Sequence, residues 1–294
     1  MADKDGLKNA DNFMIDVPQA QRDFHVKGCS DYRWGMKTRL SNIFNPISGN
    51  TLMLAFDHGY FLGPTSGLER LDITIPTLAP YIDVFMATRG GLNACIDPKL
   101  LSDKAIALRC TSGSSILNDD LSHEVVSVNI KEAVRMNADC MAVQVFIGSE
   151  GQKSSIDNIS KTIDAGNELG IPTMGVVAVG KEMERTTKYF RLATRMIAEF
   201  GAQIVKCYYC DDFETVTASC PVPIVIAGGK KLPEAEALSM CYNSLQRGAA
   251  GVDMGRNIFQ SDAPTAMVQA VRAIVHDKAT DKEAFQMYQD IKNS

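Results

Sequence analysis

Lys206 interrupts an otherwise apolar run, QIVKCYY, at residues 203–209. If that run is a β-strand, alternation places Ile204, Lys206 and Tyr208 on one face and Val205 and Cys207 on the other. A lysine turned into a protein interior is costly to desolvate as an ammonium ion, which favours the neutral amine, the form that attacks a carbonyl to make a Schiff base. The alternative is a strand-end lysine that reaches solvent along its own methylenes or pairs with a carboxylate. Position alone leaves both open.

Other polar residues close other apolar runs. Asp57 and His58 follow LMLAF, and Asp57 falls on the face of Met53 and Ala55. There it can orient a lysine or move protons during condensation, or it can simply cap the next turn. His58 beside it is either a hydrogen-bonded rim residue or an acid/base group. Gly228-Gly229 and Gly255-Arg256 follow VPIVIA and AGVDM, the last two runs. Free backbone N–H groups at such turns, with one cation, are how α/β barrels hold phosphate after their seventh and eighth strands. Either pair alone would read as ordinary turn chemistry with a surface arginine; together, at those two places, they favour phosphate. Arg89, Arg109 and Gln144 close three further runs, with substrate hydroxyl contacts and structural ion pairs both open as roles.

Metal chemistry is not expected. Cys207 and Cys210 match C-x-x-C, but no second pair and no helix start accompany them, and His25, His58, His123 and His276 are dispersed. The eight cysteines are scattered through apolar segments of a large chain and are expected to be free thiols.

These residues need a scaffold that brings strand ends together. Eight short apolar runs recur from Thr51: TLMLAF, IDVFMA, AIALRC, CMAVQVF, PTMGVVAV, QIVKCYY, VPIVIA and AGVDM. Segments between them, such as SIDNISKTIDAGNELG and KYFRLATRMIAEFG, carry apolar residues at helical spacing and end near a glycine. Strands this continuously apolar suit a parallel sheet covered on both faces. The expected fold class is therefore α/β, a (β/α)8 TIM barrel, and the absence of G-x-G-x-x-G after the first run disfavours a dinucleotide fold. We place the barrel at residues 49–294. An N-terminal extension, 1–48, would hold an amphipathic helix around Asp31 to Phe44 and a turn at Asn45-Pro46-Ile47-Ser48-Gly49, and a polar helix would follow His276.

Composition is consistent with one large cytoplasmic domain. The chain has 294 residues, 45% hydrophobic and 22% charged, enough to bury a core without staples. A net charge of −5 without a basic block argues against nucleic acid as a partner, and no apolar run is long enough for a signal peptide or a membrane span. A small anionic ligand remains compatible, since local groups decide its binding.

The motifs LAFDHG, VKCYY, PIVIAGGKK and GVDMGRNIFQ resemble those of the archaeal-type class I aldolase family, known for fructose-bisphosphate aldolases. The likeness spans nearly the whole chain. It includes KGCSDYRWGMKTRLSNIFNP, which plain aldolases lack in this form, and so it points to the family's thiolase members. The resemblance implies Lys206 as the Schiff-base lysine, Asp57 as a catalytic rim carboxylate, and Gly228, Gly229, Gly255 and Arg256 as the phosphate cradle. It implies coenzyme A as a co-substrate, taking the acetyl group of a phosphorylated hydroxydione in autoinducer-2 breakdown and leaving dihydroxyacetone phosphate. It also implies a homo-oligomer, a ring of ten being one form.

One departure bears on the chemistry. Sugar-bisphosphate aldolases of the family look to carry a tyrosine near the end of strand five as proton shuttle, where this chain reads MGVVAVGK. Its absence weakens ordinary aldol cleavage and fits attack by a thiol, for which His58 is the expected base. Two other readings stay in view: an aldolase that cleaves a sugar phosphate without coenzyme A, and a silent barrel that binds sugar phosphates without forming an adduct on Lys206.

Overall fold

All eight apolar runs become strands of one closed parallel barrel in the computed structural model, which describes residues 14–18, 24–179 and 184–294. The strands are β1 (Thr51–Ala55), β2 (Val84–Ala87), β3 (Ala105–Arg109), β4 (Cys140–Val145), β5 (Thr173–Val177), β6 (Ile204–Tyr208), β7 (Ile224–Ala227) and β8 (Gly251–Met254). Their order around the barrel is β1-β8-β7-β6-β5-β4-β3-β2. Residues 1–13, and Gly180 and Lys181 at the end of the strand-five motif, lie outside the described residues.

Alternation along each strand sorts the side chains into two cores. Leu52, Leu54, Val205, Cys207, Val252 and Met254 face outward and pack under the helices, whereas Met53, Ala55, Met86, Ala107, Met174 and Ile204 fill the barrel. Burial on both faces is why the runs show no polar alternation. Each large side chain so buried contributes about 1.5–3 kcal/mol. The outer layer includes α2 (Leu71–Leu78), α3 (Arg89–Cys95), α4 (Ile130–Arg135), α5 (Gln152–Leu169), α6 (Thr187–Glu199), α7 (Phe213–Ser219), α8 (Glu234–Gln246) and α9 (Pro264–Asp277). The polar terminal helix, α10 (Asp281–Asn293), starts with a capping box between Thr280 and Glu283.

The N-terminal segment closes the floor. Helix α1 (Trp34–Ile43) is shorter than the expected Asp31–Phe44, since Arg33 and Phe44 at its ends are extended. Its Met36, Leu40 and Ile43 join Val26, Cys29 and Phe44 beneath the inward side chains of the barrel. Asn42 Nδ2 donates to Asp139 Oδ1 (2.8 Å), and Lys27 Nζ donates to the carbonyls of Thr217 (2.9 Å) and Cys220 (2.7 Å). With the floor sealed, the upper end of the strands is left open for a site.

One element was not anticipated. Thr111–Ser112 pairs antiparallel with Val125–Val126, pinching the base of a loop, 113–124, that rises beside the strand ends. All eight cysteines are unpaired; Cys207 packs under the helices, where burial drives its thiol well above its ordinary value.

Candidate active site

β6 carries Lys206 to the middle of the barrel mouth, where the residue is 7% exposed. Its Nζ lies 2.8 Å from Asp253 Oδ2 of β8 and 3.2 Å from Met86 Sδ of β2. The approach to Asp253 is electrostatic rather than a well-directed hydrogen bond, and neither carboxylate oxygen has another partner. Sequence reasoning missed Asp253. The signal was present, since in GVDM the same alternation that singles out Lys206 turns Val252 and Met254 outward and Asp253 inward.

Asp57 extends the inward face of β1 and is 5% exposed. Its Oδ2 accepts from Arg109 Nε at 2.7 Å, and both side chains are buried. The two carboxylates beside Lys206 are thereby driven apart. Burial alone would raise Asp57, but the charges of Arg109 and Lys206 and the Arg109 hydrogen bond hold it below the usual carboxylate range. Asp253 is raised, because burial outweighs the pull of Lys206. Arg109 is thus the ion-pair partner of Asp57, and its guanidinium also sits 5.2 Å from the centre of the Tyr60 ring.

His58 places Nδ1 4.0 Å from Asp57 Oδ1 with no hydrogen bond, and its ring meets Phe259 edge-on at 5.8 Å. Burial pushes its pKa down to about 4, so the imidazole is uncharged at neutral pH. It stands against Gly255: a Cβ there would come within 2.8 Å of His58 Cε1, so only glycine lets the β8 turn approach this closely. Asn257 joins the two glycine turns, donating through Nδ2 to the Gly228 carbonyl (2.7 Å) and accepting at Oδ1 from the Leu232 N–H (2.8 Å). Arg256 begins a short helix, Arg256–Phe259, and its Nε makes no hydrogen bond. A second cation went unrecognised, because it lies in a loop with no motif: Arg185 lies 3.9 Å over the Tyr208 ring, beside Gly229.

Lys206, Asp57, His58, Gly228, Gly229, Gly255 and Arg256 all line one cavity of about 670 Å³ above the strands. Arg109 and Gln144 line it too, whereas Arg89 is exposed at the start of α3 and does not. Across the barrel from the glycine turns, the Tyr60 hydroxyl donates to Glu124 Oε1 (2.8 Å) and lies 2.9 Å from the Gln144 amide oxygen. At the end of β5 and just beyond it, the cavity is lined by Val176, Val177, Ala178 and Val179.

The model for the DeoC/LacD family of aldolases matches residues 51–261. The chain belongs to this family. A relative from Enterobacter sp. (strain 638), named 3-hydroxy-5-phosphonooxypentane-2,4-dione thiolase, is 54% identical over 293 residues, covering 99% of this chain and 98% of its own. An uncharacterized aldolase of Pasteurella multocida (strain Pm70) is also 54% identical over 293 residues, with 99% and 100% covered. Among solved structures, an archaeal fructose-1,6-bisphosphate aldolase with its catalytic lysine covalently bound to a carbinolamine intermediate matches at a TM-score of 0.73 and 22% identity, over 82% of this chain and 99% of that one. That likeness is one of fold, and it agrees with the barrel read from the eight runs. As a DeoC/LacD member, the chain is an enzyme with an aldolase scaffold.

Proposed function

We propose that this enzyme transfers the acetyl group of 3-hydroxy-5-phosphonooxypentane-2,4-dione to coenzyme A through a Schiff base on Lys206, giving acetyl-CoA and dihydroxyacetone phosphate. The observation that carries the reading is the buried Lys206–Asp253 pair at the centre of a cavity with glycine turns and arginine on one side. The thiolase named among its relatives, 54% identical over nearly the full chain, supports the choice of substrate.

The cavity groups divide the work by environment. Backbone N–H groups of Gly228, Gly229 and Gly255, with Arg256 and Arg185, hold the phosphate on the β7–β8 side. The ketone next to the phosphorylated carbon then meets Lys206. Asp253, whose raised pKa suits it to accept and return a proton, takes one from the lysine as the amine adds and returns it when the carbinolamine loses water. Asp57, kept ionised by Arg109, supplies a fixed negative charge near the iminium. The thiolate of coenzyme A adds to the acetyl carbonyl, the bond to the hydroxyl-bearing carbon breaks, and its electron pair is taken up as an enamine. Protonation and hydrolysis release dihydroxyacetone phosphate.

His58 fits the role of thiol base poorly on grounds of place. It stands beside Gly255 on the phosphate side, while the acetyl group must lie at the far end of the substrate. The apolar end of β5 favours thiolysis over aldol cleavage, since among the described residues it offers the cavity no hydroxyl proton shuttle. The same reading has the enzyme work in the cytoplasm as a homo-oligomer, on small molecules of autoinducer-2 breakdown. The test incubates the protein with the phosphorylated hydroxydione, with and without coenzyme A, and follows products by mass spectrometry. Coenzyme A-dependent acetyl-CoA and dihydroxyacetone phosphate are expected; dihydroxyacetone phosphate formed equally well without coenzyme A would replace the thiolase with a hydrolase or aldolase.

A further inference from the structure

We infer that Glu124 is the proton carrier of the reaction, taking the proton of the attacking thiol and delivering it to the hydroxyl-bearing carbon of the enamine. The inference rests on the Schiff-base reading above and concerns the end of the substrate away from the phosphate. In the order of the barrel, β3 and β4 stand opposite β7 and β8, so a substrate anchored at the glycine turns and joined to Lys206 extends toward the corner of Arg109, Gln144, Tyr60 and Glu124.

Glu124 is 4% exposed and lines the cavity. Only one of its oxygens is occupied: Oε1 accepts from the Tyr60 hydroxyl at 2.8 Å, while Oε2 is buried and makes no hydrogen bond. A buried carboxylate oxygen without a donor is costly, and a donor entering the cavity removes that cost. Arg109 Nη1, close by under Tyr60, is the complementary orphan, a buried donor without an acceptor. The corner thus lacks one donor and one acceptor, and a thiol adding to a carbonyl supplies an S–H and a developing alkoxide. The residue is held firmly. Asn158 Nδ2 donates to its carbonyl at 2.8 Å, and the two ends of the loop pack so close that a Cβ at Gly113 would collide with the His123 carbonyl. Burial raises the Tyr60 phenol, which keeps it protonated as a donor that positions Glu124.

The protons balance on one carboxyl group. The S–H proton moves to Oε2 as sulfur bonds to the acetyl carbon. The carbon–carbon bond then breaks, its electron pair passing into the iminium to give the enamine. The proton moves from Oε2 to the hydroxyl-bearing carbon, restoring the iminium that water hydrolyses. The last transfer runs in reverse with dihydroxyacetone phosphate alone, so it can be read without coenzyme A.

In heavy water, the wild-type enzyme should exchange a proton on the hydroxyl-bearing carbon of dihydroxyacetone phosphate for deuterium, followed by NMR. Glu124→Gln should slow that exchange by at least about 100-fold, the usual worth of a positioned acid/base, while still giving the borohydride-reduced adduct that reports folding and Schiff-base formation. Should Glu124→Gln not fold, Glu124→Asp, shorter by one methylene, is expected to keep the adduct and lose exchange. A variant that forms the adduct and exchanges at close to the wild-type rate overturns the role of Glu124 alone. A wild-type enzyme that forms no adduct overturns the Schiff-base reading, and this inference with it.

Discussion

Replacing Arg109 with methionine tests the electrostatic frame of the site. Methionine keeps much of the volume and removes the charge, leaving Asp57 buried without the partner that holds it ionised. Breaking a buried pair from one side costs about 3–5 kcal/mol, and partial relief from Lys206, already engaged with Asp253, places the loss at the lower end. For a chain of 294 residues the unfolding entropy is about 0.6 kcal/mol per degree, so Tm should fall by about 5 °C at pH 7.5. The pH dependence has a definite sign. In the wild type the folded-state pKa of Asp57 is lowered, so its contribution is present above the unfolded value near 3.9 and is lost as the pH falls below it. In Arg109→Met burial acts unopposed by that arginine, the folded-state pKa rises, and protonation on acidification relieves the variant first. The gap in Tm should therefore narrow as the pH falls from 7.5 toward about 5. The double variant Asp57→Asn/Arg109→Met, with no orphaned charge, should recover much of the loss. Differential scanning calorimetry at the two pH values checks all three. A gap that is equal at both, or a double variant no more stable than Arg109→Met, would refute the argument.

Two further variants separate binding from chemistry. His58→Ala should raise KM while lowering kcat by less than about tenfold, since a residue on the phosphate side is not the thiol base; steady-state kinetics with coenzyme A showing a kcat loss of 100-fold or more would restore that role. Because the wild-type ring is uncharged above about 4, no limb of the pH–rate profile between about 5.5 and 7 should disappear in the variant. Arg256→Leu should remove one charge-assisted phosphate contact, about 1.5–3 kcal/mol, raising KM for the phosphorylated ketone roughly 10–100-fold. It should leave binding of the unphosphorylated ketone unchanged, measured by adduct yield against concentration; an equal loss for both ketones would remove Arg256 from the phosphate cradle.

The barrel and half of its mouth were legible because both rest on strand periodicity. Lys206 and Asp57 each follow from alternation along one run, and the glycine turns follow from the ends of the last two. Asp253 obeys the same rule, but in a four-residue strand a single carboxylate interrupts little. The pairing of Asp57 with Arg109 joins residues 52 apart at the ends of β1 and β3, which are separated by β2, so neither segment carries a local sign of the other. Glu124 and Arg185 come from loops and Tyr60 from a single helical turn, Gly59–Leu62, all too short or irregular for a period to mark a side chain's direction. The two-residue strands at Thr111–Ser112 and Val125–Val126, which set Glu124 in place, are too short to show any. The floor helix was foreseen but overextended, since extended backbone at Arg33 and Phe44 trims both ends.

The Schiff base on Lys206 can be trapped covalently. The enzyme is mixed with dihydroxyacetone phosphate, reduced with borohydride, and digested for peptide mapping by mass spectrometry. One reduced adduct per chain is expected, on the peptide holding Lys206, and none in Lys206→Ala. An adduct on another lysine, or none with folded wild-type protein, would contradict it.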